Sequence, residues 1–435
     1  MVFQEFVYQV LHHDHFQAFL FVFLIAFYRI IDVMLLEKSI NISNDVKQIT
    51  ERGNIYDRNG NLLATTINSY SLSANPKSLK NKKIISKKLS LIISRPEEEI
   101  FNLLKENKPF VWLKRNISPK EHQAIIDLGE VSLNTEHVKE EELKRIYPHE
   151  NISSHVVGYV DIDGNGLAGI ERGLNEILSK GKDVYLSVDI RLQSAFLEEL
   201  TKTIDKFSAD SGSIVVFDIT TGEIIALNSF PDFDPNKFVK GISSFDFNQL
   251  NRIEAFNNFA IQGLYPPGSV FKVVAYWLAE NEGLFPDGIS SRSNRMKCEG
   301  NLSFSFIDGS QQVYNDWKED GHGNVNLSSA IQQSCNVYFW DIALKIWRTY
   351  EGNENESILQ EYARNLGFGE ATGIDLPFEK SGIVPDRDLF EEWTITRPEL
   401  VRPEGWLGGD LMNLIVGQGA ITTTPMQVAS AYKTL

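Results

Sequence analysis

The sequence predicts an α/β (α+β) protein with two domains behind an amino-terminal membrane helix. The chain of 435 residues is too long for one ordinary domain. An apolar stretch over residues 16–36 is long enough to cross a bilayer as a helix. Near residue 183, segments rich in Lys and Glu give way to short strands and long apolar helices, which indicates a domain boundary.

Composition and charge indicate a globular protein and argue against two other classes, nucleic-acid-binding proteins and disulfide-rich scaffolds. Apolar residues make up 42% of the chain and charged residues 23%, as in a globular protein. The net charge of −16 argues against nucleic acid as a partner, because a phosphate backbone selects for basic surfaces. The chain has two cysteines, Cys298 and Cys335, so it is not a scaffold held by many disulfides.

The amino terminus is predicted to be a short tail, 1–15, followed by a transmembrane anchor, 16–36. Arg29 and Asp32 interrupt the apolar run three residues apart, where their charges can neutralise each other. No small-residue cleavage site follows, which favours an uncleaved anchor over a removed signal peptide. A buried core helix is the alternative interpretation. The flanking charges do not indicate an orientation, since no Lys or Arg precedes Arg29.

The segment 37–180 is predicted to be a mixed α+β, non-catalytic domain that acts as a pedestal. Asp57-Arg58-Asn59-Gly60 is a turn sequence between two apolar runs and predicts a hairpin over 52–64. Residues 77–145 have helical apolar spacing and many Lys and Glu residues, without a cluster of catalytic side chains.

The segment 181–435 is predicted to be the second, α/β-type domain. Alternating apolar residues predict strands, and an amphipathic run predicts a helix that packs on them. The strands are expected over 184–189, 213–218 and 223–227, and the helix over 190–207.

A candidate nucleophile lies at the start of the next apolar helix. Two prolines and Gly268 prevent a helix before Ser269, and an unbroken apolar run favours one after it. Ser269 and Lys272 then lie on one face, one turn apart. The positive end of the helix favours an oxyanion near Ser269, and an apolar setting favours neutral Lys272 as a base. The alternative is a helix cap beside an exposed lysine, but the buried helix context favours the catalytic interpretation.

Ser334-Cys335-Asn336 forms a second candidate catalytic element. The triplet lies at a break between helical segments predicted over 326–333 and 337–347, so both polar side chains can point into one cleft. Ser334 is suited to pass a proton between Lys272 and a leaving amine, and Asn336 to hydrogen-bond a substrate amide.

A candidate metal site lies close to this triplet in sequence. Cys298, Asp316, His322 and Cys335 supply two thiolates, an imidazole and a carboxylate, a ligand set that suits tetrahedral zinc. Two alternatives remain at this point. The cysteines can form a disulfide in an oxidising compartment, or both can be buried free thiols.

Taken together, these motifs resemble class B penicillin-binding proteins, which are membrane-anchored peptidoglycan DD-transpeptidases. The resemblance spans almost the whole chain from the anchor to Leu435. Its motifs are the following: Arg52–Gly60, Gly169–Gly173, Pro267-Gly268-Ser269-x-x-Lys272, Ser334-x-Asn336, Gly417-Gln418-Gly419 and Thr424-Pro425. It implies a penicillin-binding, serine β-lactamase-like transpeptidase domain over 181–435.

The resemblance also implies an activity and a location. Ser269 is expected to attack the penultimate D-alanine of a stem peptide, with Lys272 as base, Ser334 as proton shuttle and Asn336 as a substrate contact. Gly417, Gln418 and Gly419 are expected to line the substrate site. Catalysis is expected to need no cofactor, and β-lactams are expected to acylate Ser269. The implied location is the inner (cytoplasmic) membrane as a single-pass protein, with the catalytic domain in the periplasm and a membrane polymerase as partner.

Within the class, the chain looks like the elongation-type group, penicillin-binding protein 2. The Asp316-Trp317-Lys318 and Gly321-His322-Gly323 segments carry that likeness, and some members of this group bind zinc beside the active site. Their ligands fall on Asp316, His322 and Cys335, with Cys298 as a fourth. A division-type transpeptidase and a non-catalytic penicillin-binding scaffold or sensor are the alternatives. A soluble β-lactamase is disfavoured by the anchor and the large amino-terminal region.

One motif of the family is missing from the printed chain. The family has a Lys-Thr-Gly strand beside the nucleophile, and Lys433-Thr434-Leu435 does not match it, because it follows the Thr424-Pro425 segment directly in a predicted helix. Loss of one oxyanion donor costs about 10²–10³ in rate. The sequence therefore suggests a carboxy-terminally truncated copy with little activity, an expectation that the coding DNA beyond Leu435 tests.

Overall fold

The computed structural model describes residues 51–106, 108–130, 132–135, 142–239, 241–284, 291, 294–305 and 311–435. The predicted tail, 1–15, and the predicted anchor, 16–36, lie outside the described residues. A search of the described helices for one that is long and apolar enough to cross a membrane finds none.

A long strand organises the first part of the fold. Strand β2 pairs along its length with β1, β5, β3 and β4, and β1 also pairs in parallel with β6. These strands are β1 (Ile55–Tyr56), β2 (Leu62–Ala74), β3 (Val111–Ile117), β4 (Leu133–Asn134), β5 (Glu142–Ile146) and β6 (Val184–Tyr185). The helices are α1 (Lys82–Ile93), α2 (Glu97–Lys105), α3 (Pro119–Ile126), α4 (Ser154–Val157), α5 (Gly169–Gly173) and α6 (Asn175–Leu178), with a 3₁₀ turn at Glu150–Ser153.

The predicted hairpin at 52–64 is confirmed, and its turn is held by one carboxylate. Asp57 Oδ1 accepts hydrogen bonds from the backbone N–H groups of Asn59 and Asn61, each at 2.8 Å. Gly60 adopts a φ of +80°, which a residue without a Cβ reaches at low cost. The turn therefore places Ile55 opposite Ala64 in the antiparallel β1–β2 pair.

A buried ion network joins this hairpin to helix α5. The Glu171 carboxylate is fully buried and accepts Arg52 Nε and Arg145 Nε, each at 2.6 Å. Tyr147 Oη lies 3.3 Å from the same carboxylate. Arg52 lies 119 residues from Glu171 in sequence and Arg145 lies 26 residues from it, so this buried carboxylate pairs with charges from two other segments of the chain.

The second part of the fold combines short strand pairs with many helices. Its strands form the antiparallel pairs β7–β8, β9–β12 and β10–β11. They are β7 (Gly212–Phe217), β8 (Ile224–Phe230), β9 (Met296–Cys298), β10 (Asn301–Ser305), β11 (Gln311–Asn315) and β12 (Gly323–Val325). The helices are α7 (Ile190–Phe207), α8 (Asn236–Val239), α9 (Ser244–Arg252), α10 (Phe259–Gln262), α11 (Lys272–Asn281), α12 (Leu327–Gln332), α13 (Asn336–Tyr350), α14 (Ile358–Asn365), α15 (Arg387–Thr396), α16 (Gly408–Ile415) and α17 (Pro425–Thr434), with a 3₁₀ turn at Gly268–Phe271.

The predicted helix at 190–207 is confirmed with the same bounds, as α7, and Asp189 caps it by accepting the Arg191 N–H at 3.0 Å. The predicted strand at 184–189 is shorter than expected and ends at Tyr185. Leu186 N and Val188 O still bond to Tyr56 O and Arg58 N beside β1, but Asp189 N donates to Ile225 O of β8. A ladder with one neighbouring strand therefore cannot continue.

The candidate site rests on a large apolar core. Helix α11 buries Val274, Ala275, Leu278 and Ala279 on its inner face. Helix α13 packs against the same core with eight buried residues, and α16 also contacts it. Because α11 and α13 are fixed by this packing, their amino-terminal ends have defined positions relative to each other.

Candidate active site

Ser269 lies in the 3₁₀ turn that leads directly into helix α11, and its side chain is exposed. Gly268 precedes it with a φ of +64° and donates its N–H to Gly417 O at 2.8 Å. A Cβ on Gly417 would lie 2.1 Å from Gly268 O, so only glycine allows this approach. The loop after α16 thus sets the position of the residue before the candidate nucleophile.

Lys272 is buried at the first position of α11, and its ammonium contacts three residues. Nζ lies 3.3 Å from Ser269 Oγ and 3.1 Å from Ser334 Oγ. It also donates to Ser334 O at 2.9 Å and to Asn336 Oδ1 at 2.5 Å. The predicted Ser269–Lys272 pair is therefore within hydrogen-bond reach, as a nucleophile and its base require.

Burial makes the Lys272 ammonium a stronger acid than the ammonium of a surface lysine. Removal from water lowers the pKa of Lys272 to about 8, although the negative charge of Asp316 acts in the opposite direction. A lysine with a pKa near 8 has a far larger neutral fraction near neutral pH than a surface lysine, whose pKa is about 10.4. Such a group can accept a proton from a serine hydroxyl.

Ser334 bridges the pair in an unusual backbone conformation. Its φ is +55°, in the left-handed region that is uncommon for a residue with a side chain. In this conformation Ser334 Oγ donates to Ser269 Oγ at 2.8 Å while it remains within reach of Lys272 Nζ. The two hydroxyls and the amine form a closed triangle through which a proton can move.

Asn336 begins helix α13 and faces the same lysine. Its Oδ1 accepts the Lys272 ammonium, which leaves the Nδ2 amide to donate to a ligand. The sequence predicted a substrate contact for Asn336 but not the contact with Lys272. Gln418 and Gly419, two of the predicted substrate residues, are exposed, whereas Gly417 is buried against Gly268.

The four predicted metal-ligand side chains meet beside this site. Pairing of β9 with β12 brings Cys298 next to Gly323, and His322 immediately precedes that glycine. The ligand atoms of Cys298, Asp316, His322 and Cys335 all lie within 4.8 Å of one another. Cys298 and Cys335 are buried free thiols.

The donor set and its surroundings fit a zinc ion. His322 Nε2 is buried without a hydrogen-bond partner among the described residues and lies 3.5 Å from Asp316 Oδ1. A buried unpartnered imidazole nitrogen beside a carboxylate and two thiols is what a tetrahedral N, O and S site requires. Burial and the neighbouring Cys298 raise the pKa of the Cys335 thiol, and a metal ion would reverse that preference by binding the thiolate.

Asp316 joins the cluster to the Ser334–Asn336 element, a role that the sequence did not reveal. Its Oδ2 accepts the backbone N–H of Asn336 at 2.9 Å and that of Val337 at 3.3 Å. These amides lie at the amino-terminal end of α13, where backbone donors lack partners within the helix. The contact spans 20 residues of sequence, so no local capping pattern could have indicated it.

Two family models match the chain. The model described as "Penicillin binding protein transpeptidase domain" matches residues 212–435, and "Penicillin-binding Protein dimerisation domain" matches residues 47–185. The first model alone covers more than half of the chain. The resemblance predicted from the sequence motifs is therefore confirmed.

Named relatives and solved structures agree with these models. The chain is 30% identical to "Peptidoglycan D,D-transpeptidase MrdA" of Acinetobacter baumannii, over 87% of this chain and 59% of the relative. It is 29% identical to the MrdA of Escherichia coli K12, over 88% and 64%, and 33% identical to "Probable peptidoglycan D,D-transpeptidase PenA" of Neisseria gonorrhoeae, over 79% and 68%. The chain thus spans about three fifths of the length of the MrdA relatives.

Among solved structures, the Helicobacter pylori complex between "Penicillin-Binding Protein (PBP2) and MreC" matches with a TM-score of 0.67 and 26% identity, over 87% of this chain and 74% of that one. Pseudomonas aeruginosa PBP2 in complex with WCK 5153 matches with a TM-score of 0.57 and 25% identity, over 88% and 68%. The recurring name PBP2 confirms the likeness to the penicillin-binding protein 2 group.

Proposed function

This chain belongs to the penicillin-binding protein transpeptidase family, and from that premise we propose that it is a peptidoglycan DD-transpeptidase of the elongation type. One observation carries the proposal. The exposed Ser269 hydroxyl lies within hydrogen-bond reach of both a buried lysine and a second serine. This arrangement provides a nucleophile, a base and a proton path.

In the proposed first half-reaction, neutral Lys272 takes the Ser269 hydroxyl proton as Oγ attacks the carbonyl of the penultimate D-alanine. The bond to the terminal D-alanine breaks, and its amine leaves with a proton delivered from Lys272 through Ser334. In the second half-reaction, an amine of a neighbouring strand attacks the ester and gives up a proton along the same path. A new amide forms and the Ser269 hydroxyl is restored.

Asn336 and the loop at 417–419 are proposed to bind the acyl donor. The Asn336 Nδ2 amide is available to donate to a peptide carbonyl, while its Oδ1 holds Lys272. β-Lactams are proposed to acylate Ser269 by the same attack, and no cofactor is needed for the chemistry. The exposed Gln418 and Gly419 provide polar backbone beside the nucleophile turn.

A structural zinc ion is proposed at the cluster of Cys298, Asp316, His322 and Cys335. The ion would bind His322 Nε2, which has no hydrogen-bond partner in the described part of the chain, and would neutralise two buried thiolates. Its contribution would be to tie β9, β12 and the start of α13 together. The proton transfers described above involve only the chain's own side chains.

The location and partners are proposed from the sequence and the relatives. The apolar stretch 16–36 supports a single-pass anchor in the cytoplasmic membrane, with residues 37–180 as pedestal and 181–435 as catalytic domain in the periplasm. The solved complex of a similar PBP2 with MreC supports an MreC-like partner. Glycosyl transfer is proposed to be left to a membrane polymerase.

Covalent labelling tests the proposed function. The protein expressed from its complete gene is incubated with a fluorescent penicillin, and the labelled peptide is identified by mass spectrometry. We expect one label on Ser269, its loss in Ser269→Ala, and D-alanine release from a pentapeptide donor. A protein that folds but carries no label on Ser269 would contradict the proposal. Labelling without D-alanine release would favour the binding-only scaffold.

A further inference from the structure

Trp317 is an exposed aromatic residue whose polar atom is nevertheless held in place. About 65% of its surface is accessible, which is unusual for a tryptophan without a partner surface. Its indole Nε1 donates to the carbonyl oxygen of Ser334 at 3.1 Å. The ring also meets His322 edge to face, with 5.4 Å between centroids. The residue is therefore fixed at both sides of its ring.

The Ser334 carbonyl receives a second donor, Lys272 Nζ, at 2.9 Å. The Ser334 carbonyl oxygen thus accepts hydrogen bonds from the exposed Trp317 indole and from the buried Lys272 ammonium. On the carboxyl side, Asp316 Oδ2 accepts the amides of Asn336 and Val337. Asp316 and Trp317, which are adjacent in one loop, therefore hydrogen-bond to the two ends of the segment 334–337. We call this segment the 334–337 corner.

This corner needs such support because Ser334 has a left-handed backbone. A non-glycine residue in that region is retained where surrounding contacts over-determine it. If the corner relaxed, Ser334 Oγ would leave its position 2.8 Å from Ser269 Oγ. This movement would separate Ser334 from the nucleophile Ser269 and would alter the surroundings of Lys272.

We propose that Trp317 is a positioning residue: its indole N–H, together with the Asp316 carboxylate, holds the 334–337 corner in the conformation that joins Ser334 to Ser269 and Lys272. The inference rests on the proposed acylation of Ser269. The exposed ring face contributes little to the core, so the hydrogen bond is the main structural use of this side chain. Its action on the reaction passes through Ser334.

Trp317→Phe tests this role because it keeps an aromatic ring and removes the N–H donor. The matched control is Trp112→Phe, a partly exposed tryptophan on β3, in the first part of the fold. Hydrogen exchange of a peptide covering 334–338 is measured in the complete protein, without any substrate. We expect exchange of the Asn336 and Val337 amides to accelerate five- to tenfold (roughly one lost hydrogen bond) in the first variant and to stay unchanged in the control.

Acylation kinetics provide the functional arm. With a chromogenic β-lactam, Trp317→Phe should lower the acylation rate constant about tenfold while the dissociation constant of the initial complex and the melting temperature stay near those of the parent. A purely structural role would change the melting temperature instead. Unchanged exchange or an unchanged acylation rate constant overturns the inference while leaving labelling of Ser269, and thus the proposed function, intact.

Two substitutions at Asp316 separate the corner contact from metal binding. Asp316→Asn keeps an oxygen that can accept the Asn336 and Val337 amides, whereas Asp316→Ala removes it. We expect fast exchange of these amides in the alanine variant only. Equal exchange in both variants overturns the part of the inference that concerns Asp316. If the parent protein is not acylated at all, the proposed function fails with the positioning role, although the exchange data still report the corner contact.

Discussion

Lys272 donates to Asn336 across 2.5 Å, the shortest of the contacts that its ammonium makes. The acceptor is a neutral amide oxygen, and no carboxylate lies within ion-pair distance of this lysine among the described residues. Burial therefore outweighs the more distant negative charge of Asp316, and the pKa of Lys272 falls to about 8. The site therefore makes the neutral, proton-accepting form of Lys272 more accessible than it is in a surface lysine.

The first prediction concerns pH. Lys272 must be neutral to accept the Ser269 proton, so the acylation rate constant should rise with pH and level off above about 8. At pH 7 only about a tenth of the lysine is neutral. Acylation by a fluorescent β-lactam between pH 6 and 10 measures this dependence. A rate constant that is flat, or that falls over this interval, would contradict the role of Lys272 as base.

The second prediction changes the charge next to the lysine. Asn336→Asp places a carboxylate where the amide oxygen now accepts from Nζ, and a negative charge favours the ammonium form. The midpoint of the pH profile should rise by about one to three units, because nearby opposite charges shift pKa values by that amount. Asn336→Ala serves as control and should not raise the midpoint. A pH profile of the Asn336→Asp variant that matches the parent would exclude this contact as a determinant of the pKa.

Sequence patterns predicted the elements that depend on local chemistry. The turn at Asp57–Gly60 and the helix at 190–207 follow from turn residues and from amphipathic spacing, and both have the predicted extent. The strand at 184–189 was predicted too long, because the sequence does not show where a backbone changes partners. The length of an apolar pattern does not show which strand its backbone will bond to, because that partner depends on tertiary structure.

In the candidate site, too, some contacts follow from local sequence spacing and others depend on tertiary structure. Ser269 and Lys272 are one helical turn apart, so their proximity follows from sequence spacing alone. By contrast, the hydrogen bonds of Asp316 with Asn336 and of Trp317 with Ser334 join residues that are 20 and 17 positions apart in sequence. These contacts form only when the loop has folded. No periodicity encodes such contacts. The left-handed φ of Ser334 was equally hidden, because serine carries no local signal for it.

The third prediction concerns the close approach of two glycines. Gly417→Ala puts a Cβ 2.1 Å from Gly268 O, so the turn before Ser269 must move. A displacement of about 1 Å at a reacting group costs about 10²-fold in rate. Gly60→Ala is the matched control, since Gly60 also has a positive φ but open space around its Cβ position. The control should lose about 1–2 kcal/mol of stability and retain acylation. Equal acylation in both variants would contradict the prediction.

The fourth prediction concerns metal. Purified protein should contain about one zinc per chain, and removal by a chelator should lower the unfolding midpoint. Free zinc at 100 times its dissociation constant contributes about 2.7 kcal/mol to the folded state. Cys298→Ser and Cys335→Ser should each abolish this dependence on zinc, because a hydroxyl is a poor zinc ligand. A zinc content near zero after gentle purification would contradict the proposed ion.

The fifth prediction concerns the buried ion network of Glu171 with Arg52 and Arg145. Glu171→Gln removes the only negative charge in the group and leaves two guanidinium groups buried beside a neutral amide. Breaking a buried pair by removal of one partner costs about 3–5 kcal/mol, far more than the pair's net contribution to stability. Urea unfolding should therefore show a large fall in the midpoint.

A matched surface pair separates the effect of burial from that of charge. Glu176 and Lys180 form an ion pair at 2.8 Å, but both side chains are largely exposed. Water solvates each charge after its partner is removed, so Glu176→Gln should leave the unfolding midpoint unchanged. The Glu171 carboxylate has no such access to water, and the unpaired guanidinium groups of Arg52 and Arg145 keep their full desolvation cost. A midpoint in Glu171→Gln as high as that in Glu176→Gln would show that the network is not what fixes the hairpin to helix α5.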